Sequence, residues 1–63
     1  MIKVGQQFTI DSDYWDDVNQ VWMCLGVEDN FPSSSITIYM RNIKTKELVT
    51  RTLDRKLVKI REN

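Results

Sequence analysis

The segment SITIYMRN, residues 35–42, alternates apolar and polar side chains more regularly than any other part of the chain. Successive side chains of a β-strand point to opposite faces, so this pattern predicts a strand with one buried face. The expected inward positions are Ile36, Ile38 and Met40, and the expected outward positions are Thr37, Tyr39 and Arg41.

Four further segments predict strands, because each is short, carries apolar residues at alternate positions and is bounded by turn-forming residues. They are KVGQQFTI, with Val4, Phe8 and Ile10 inward, then VNQVWMCLGVED, ELVTRTL and VKIRE. The segment DRKL, residues 54–57, is too short for an α-helix and predicts a single 3₁₀ turn before the last strand. No window of about ten residues has helical apolar spacing, so we expect an all-β protein.

The second predicted strand is apolar at both parities in QVWMCLGV, residues 20–27. We assign one parity to the core and the other to the outer side: Val21, Met23, Leu25 and Val27 inward, Trp22, Cys24 and Gly26 outward. If consecutive strands are neighbours, Trp22 and Tyr39 then share an outer face with Arg41 beside them. The alternative is that one of the chain's own loops, DSDYWDD or DNFPSSS, covers Trp22.

A chain of 63 residues is expected to form one domain, residues 1–63, with one thin core. Five short strands in so small a chain cannot leave a sheet face bare, and a sheet that curls into a small barrel buries that face and removes most exposed edges. The predicted core is Phe8, Ile10, Val21, Met23, Leu25, Val27, Ile36, Ile38, Met40, Val49, Leu53, Leu57, Val58 and Ile60.

The tight connection IKTK, residues 43–46, leaves two registers open for the hairpin around it. A three-residue loop would place Lys46 in the left-handed region, where glycine is usual. A loop of two or four residues would instead pair Ile36 with Leu53, Ile38 with Arg51 and Met40 with Val49. We favour the second register because it matches the apolar parity better.

The order of these elements resembles the small Src-homology-3-type (SH3-like) barrel, a group that includes Tudor-like and ribosomal-type barrels. LDRKLVKI, residues 53–60, is similar to the ending of such barrels, in which a short turn delivers the last strand. The resemblance implies a five-stranded SH3-like barrel. The aromatic motifs of true SH3 domains are absent, so their proline-rich peptide binding is not implied, and the fold alone does not settle the function.

The amino-acid composition excludes most kinds of catalytic site. Histidine is absent and Cys24 is the only cysteine, so an intramolecular disulfide and most metal or acid–base sites are excluded. The acidic turn DSDYWDD lacks the glycine and distal glutamate of a calcium loop. We expect no enzyme activity, no catalytic residues, no metal and no cofactor. The four aspartates and the lack of a long apolar run in the first twenty residues argue against a signal peptide, and the lone cysteine indicates a reducing, cytoplasmic setting.

Charge is unevenly distributed although the net charge is zero. Residues 1–31 carry one lysine against six acidic residues, a net charge of −5, and residues 32–63 carry a net charge of +5. Interleaved strands would mix the two halves and cancel this difference. The alternative is a molecule with an acidic rim and a basic rim.

Two candidate binding sites follow. The first is a protein-binding face formed by Trp22, Tyr39 and Arg41, with Tyr14 and Trp15 of the acidic turn as further anchors unless one of these two plugs the barrel. Tryptophan, tyrosine and arginine dominate binding hot spots. The second is a nucleic-acid contact made by the basic set Lys44, Lys46, Arg55, Lys56, Lys59 and Arg61, which is otherwise a solvated surface.

The sequence therefore favours a non-enzymatic binding module, a regulator or inhibitor that contacts another protein or itself through an exposed aromatic face. The alternative is a nucleic-acid-binding barrel that uses the basic C-terminal half. No feature indicates a membrane partner.

Overall fold

The chain folds into one antiparallel sheet of five strands. The structure, a computed structural model, describes residues 1–11 and 19–61. The elements are β1 (Gln7–Ile10), β2 (Trp22–Asp29), β3 (Ser35–Asn42), β4 (Leu48–Asp54), a 3₁₀ turn (Arg55–Leu57) and β5 (Val58–Ile60). The order across the sheet is β4-β3-β2-β1-β5, so β4 and β5 are its edges.

One face of this sheet forms the core. Phe8 and Ile38 are completely buried and Ile36 and Met40 almost so, although no second sheet or α-helix covers them among the described residues. A single sheet can bury one face this well only by curling around it. The predicted fold class, an all-β small barrel of five strands with a 3₁₀ turn before the last strand, is confirmed.

The favoured β3–β4 register is confirmed, with Ile36 opposite Leu53 and Met40 opposite Val49. Asn42 N–H donates to the carbonyl of Glu47 at 2.8 Å, so residues 43–46 form the connection. Lys46 nevertheless has a φ of 68°. The four-residue connection therefore also places Lys46 in the left-handed region, which the sequence analysis associated with the three-residue loop.

Replacing Lys46 with glycine is expected to stabilise the protein. The left-handed conformation costs a non-glycine residue about 1–2 kcal/mol, and the extra entropy of glycine in the unfolded chain offsets part of that gain. The net expectation is about 0.5 kcal/mol, or a rise of a few degrees in melting temperature, measured by circular dichroism.

Lys44→Gly is the matched control, because it removes the same charge and adds the same residue at a position without a positive φ. It should lower the melting temperature. If both variants moved the melting temperature in the same direction, the conformation assigned to Lys46 would be wrong.

A β-bulge in β2 corrects the predicted parity of that strand. Cys24 lies opposite Met40, but Gly26 lies opposite Tyr39, so Leu25 is an extra residue without a partner on β3. Before the bulge, Trp22 and Cys24 point inward and are buried. After it, Val27 packs against the core while Leu25 is exposed.

The prediction that Trp22 and Cys24 face outward is therefore wrong, because the strand was treated as uninterrupted. The inward assignment of Leu25 is wrong for the same reason, and Met23 is only half-buried beside the outward-facing Arg41. Val27 keeps its predicted inward side because it follows the bulge.

The chain before β1 also differs from the prediction. Val4 is 68% exposed, and Gly5 has a φ of 91° in a turn, so β1 begins only at Gln7. Ile2 enters the core instead of Val4. Ile60 is 40% exposed because β5 is an edge strand.

Most other predicted core positions are confirmed. Phe8, Ile10, Ile36, Ile38, Met40 and Leu53 are buried, and Val49, Leu57 and Val58 pack against them.

Candidate functional site

Three neighbouring strands present apolar side chains on the outer side of the sheet. Met23, Arg41 and Leu48 occupy one row across β2, β3 and β4. Leu25 in the bulge and Tyr39 on β3 are also exposed, and Leu48 is 69% exposed. We call this set the outer face: Met23, Leu25, Tyr39, Arg41 and Leu48.

Tyr39 is held in place on the outer face. It lies opposite Gly26, and a Cβ atom added to that glycine would come within 3.2 Å of the Tyr39 ring carbon Cδ2. The ring therefore occupies the space that a side chain at position 26 would need. The Tyr39 hydroxyl donates to Glu28 Oε1 at 3.4 Å, while 41% of the residue stays exposed.

The predicted aromatic pair of Trp22 and Tyr39 does not form. Trp22 is 7% exposed and belongs to the core, opposite Asn42. Arg41 and Tyr39 are exposed on the outer face as predicted. Tyr14 and Trp15 lie outside the described residues.

Trp22 also borders a cleft of about 350 Å³ between the start of β2 and β4, with Gln20, Asn42, Thr45, Glu47, Val49 and Arg51. Its indole Nε1–H is buried and has no hydrogen-bond partner among the residues that the structure describes. The neighbouring Asn42 donates from Nδ2 to Gln20 Oε1 at 2.7 Å. Its Oδ1 accepts from the backbone N–H groups of Lys44 and Thr45, which fixes the hairpin.

The predicted basic set is divided rather than gathered into one surface. Arg55 is engaged within the molecule: its Nη2 lies 3.0 Å from Asp29 Oδ1, and it also donates to the carbonyls of Ser33 and Ser34. Lys56 lies beside it in the same 3₁₀ turn. The hairpin residues Lys44 and Lys46 follow the opposite end of β3.

Two members of the basic set do meet. Lys44 and Arg61 border a cleft of about 370 Å³ with Asn19, Gln20, Val21 and Ile43. No carboxylate lines that cleft among the residues described. Lys59, on β5 opposite Thr9, is exposed outside it.

A loop that the sequence analysis did not select carries the most exposed large apolar residue within the two described ranges. Phe31 is 81% exposed in the β2–β3 connection, residues 30–34, which we call the Phe31 loop. Phe31 N–H donates to Asp29 Oδ1, and Ser33 N–H donates to the carbonyl of Asn30. Asn30 Nδ2 reaches Thr37 Oγ1 at 3.1 Å.

Two side chains have shifted pKa values, each with a structural cause. Burial raises the pKa of the Cys24 thiol, which keeps it protonated and unreactive at neutral pH. The backbone N–H of Lys56, donated to Asp54 Oδ1, holds the pKa of the Asp54 carboxyl below its usual range. Asp54 thereby caps the 3₁₀ turn, so its lowered pKa results from a structural role.

Sequence reasoning missed Met23, Leu25 and Leu48 on the outer face, as well as Phe31 and Asn42. Glycine at position 26 signals a possible bulge within an apolar strand, and asparagine at position 42 directly precedes a turn. Both signals were present, but neither shows which face a neighbouring side chain takes.

Searches of known protein families, curated proteins and solved structures found nothing that matches this chain. Among residues 1–11 and 19–61, no three potential metal ligands cluster, and no helix has the length and apolar character to cross a membrane.

Proposed function

We propose that this chain is a non-enzymatic binding module that contacts another protein through the outer face. The observation that carries the proposal is the row Met23, Arg41 and Leu48, with Tyr39 beside it, on a side of the sheet that no described element covers. A contiguous exposed apolar patch on a small protein typically marks an interaction site.

The composition of the outer face fits a protein partner. Tyrosine and arginine contribute strongly to hot spots, and methionine adapts to irregular surfaces. Tyr39 is already held against Gly26, so binding would cost little side-chain entropy. The threonines at positions 50 and 52 on β4 provide a polar rim. We place the protein in the reducing cytoplasm, on the basis of its single cysteine.

The test is capture of partners by the immobilised protein, with the double variant Tyr39→Thr, Leu48→Thr as the critical comparison. Both residues are exposed, so the variant should keep its fold. Loss of two hot-spot side chains should weaken capture by at least about 30-fold.

Val4→Thr is the control, because it removes a side chain as exposed as Leu48 from outside the outer face. The proposal requires capture that free protein competes away, that Val4→Thr preserves and that the double variant loses. Equal capture by the double variant would contradict it.

Nucleic-acid binding is the second candidate, and the cleft shared by Lys44 and Arg61 favours it. Two cations in a cleft that no carboxylate lines, within residues 1–11 and 19–61, suit a phosphate group. The other basic residues are divided among the hairpin, the 3₁₀ turn and β5, which argues for a small contact rather than a long groove. A single-stranded oligonucleotide added to the same capture assay separates the candidates, because Lys44→Glu with Arg61→Glu would abolish only oligonucleotide binding.

A further inference from the structure

One edge of the sheet carries main-chain groups that the neighbouring strand does not use. β4 is the last strand of the sheet, and the residues of an antiparallel strand alternate between those that bond to their neighbour and those that point away. Asn42 N–H donates to the carbonyl of Glu47 at 2.8 Å, so Val49 and every second residue after it bond to β3. The groups that point away belong to Leu48, Thr50 and Thr52. Within residues 1–11 and 19–61 no strand pairs with them, and we call this set the β4 edge.

The cleft beside Trp22 extends to the β4 edge. Its lining includes Glu47, Val49 and Arg51, which alternate with the edge residues along the chain. Val49 and Arg51 lie opposite buried residues of β3, so the cleft is on the core side of the sheet. Its volume of about 350 Å³ is within the range of ligand-binding pockets. A strand added to β4 therefore bonds to the edge through its main chain and points every second side chain towards the cleft side.

The indole of Trp22 is an independent sign that this cleft receives a ligand. Trp22 is 7% exposed, and its Nε1–H has no hydrogen-bond partner among the residues that the structure describes. A buried donor without a partner destabilises the protein. Asn42, the other buried polar residue of the cleft, has partners for both its Oδ1 and its Nδ2. The donor that a ligand oxygen would satisfy is therefore that of Trp22.

The charges that line the cleft favour a neutral polar side chain. An anionic side chain would meet Glu47, a cationic one would meet Arg51, and an aliphatic one would leave the Trp22 indole unpaired. The carboxamide of glutamine has an oxygen that can accept from the indole N–H and two N–H donors that suit the Glu47 carboxylate. β4 itself, LVTRTLD, contains no amide side chain, so a second copy of this strand does not fit the cleft in the same way.

We propose that the β4 edge binds an extended peptide segment of another protein as an additional antiparallel strand, with a glutamine side chain in the Trp22 cleft. The antiparallel direction is that of all the strand pairs described. Main-chain bonds supply the affinity and the cleft supplies the selectivity. The outer face points to the other side of the sheet, so this binding and the proposed function can fail separately.

The probe is a synthetic peptide with blocked ends, Thr-Val-Thr-Gln-Thr-Val-Thr, whose valines and glutamine share one side of a strand. It is added at up to about 2 mM to the isotope-labelled intact chain, and a dissociation constant of about 0.1 mM is expected. At saturation, amide hydrogen exchange should slow roughly tenfold at Leu48, Thr50 and Thr52. It should stay unchanged at Val49 and Arg51, because their N–H groups already bond to β3. The Trp22 indole N–H resonance should move downfield.

Two N-methylated peptides test the main-chain bonds. In antiparallel pairing the threonines that flank the glutamine direct their N–H groups at β4, and the valines direct theirs away from it. Methylating those two threonine nitrogens should abolish binding. Methylating the two valine nitrogens is the matched control and should leave the dissociation constant within about twofold.

The same peptide with leucine in place of glutamine tests the cleft, and it should bind about tenfold more weakly to the wild-type protein. Trp22→Phe keeps most of the apolar volume but removes the indole N–H, so this variant should bind both peptides equally.

Four results would overturn the proposal. The first is the absence of binding at the highest peptide concentration. The second is protection of the β4 edge amides without peptide as the protein concentration rises, because it would show that a second copy occupies the edge. The third is equal loss of binding by both methylated peptides. The last is a preference for glutamine that persists in Trp22→Phe.

Discussion

Trp22→Ala is expected to unfold the protein at room temperature. Trp22 is 7% exposed within the hydrophobic core, and truncating a buried tryptophan costs about 3–5 kcal/mol. A single core in a chain of this size rarely provides more than about 3–5 kcal/mol in total. Circular dichroism and a urea titration would show the loss as a missing folded baseline.

Two variants make this result specific. Trp22→Phe should remain folded, because phenylalanine keeps most of the apolar volume and the indole Nε1–H has no described partner to lose. Tyr39→Ala removes an aromatic side chain from the exposed side of the neighbouring strand and should also remain folded. A folded Trp22→Ala variant with a wild-type melting temperature would show that Trp22 does not belong to the core.

Asn42→Ala is expected to have the next largest effect, a loss of about 2–3 kcal/mol. Asn42 is buried, and its side chain serves three partners: Gln20 Oε1 and the backbone N–H groups of Lys44 and Thr45. Removing it leaves these three groups, at the base of the hairpin, without their hydrogen-bond partner. Urea unfolding gives the magnitude, and hydrogen exchange at the two amides gives the location.

Asn42→Asp separates the two roles of this side chain. Aspartate keeps an oxygen for the amides of Lys44 and Thr45 but cannot donate to Gln20, so its stability should fall between wild type and Asn42→Ala. Thr45→Ala, at an exposed position of the same hairpin, should cost much less. Equal stability of all three variants would show that the Asn42 bonds do not hold the hairpin.

The alternation of β3 and the hairpin register were predictable because both depend on an unbroken period of two. Ile36, Ile38 and Met40 repeat at that period, and only one register places Leu53 and Val49 opposite them. The exposure of Tyr39 and Arg41 follows from the same count. Side-chain type and spacing were sufficient to predict the face of each residue wherever the strand pairing was regular.

The faces of β2 were not predictable in this way. An apolar run at both parities is compatible with either face, and the bulge at Leu25 reverses the assignment halfway along the strand. The bonding of the Phe31 loop was hidden for a different reason. Proline and serine indicated a loop, but two of the bonds that hold the loop come from Arg55, which is distant in sequence.

The bulge also means that the inward faces of β2 do not depend on the residue at position 25. Leu25 has no partner on β3, so the fold itself accommodates many residue types there. Deleting it would make Cys24 and Gly26 adjacent while they stay opposite Met40 and Tyr39, so the pairing would become continuous with Trp22 and Val27 both on the core side. For folding, this position is an insertion that the sheet absorbs, tolerant of both exchange and removal.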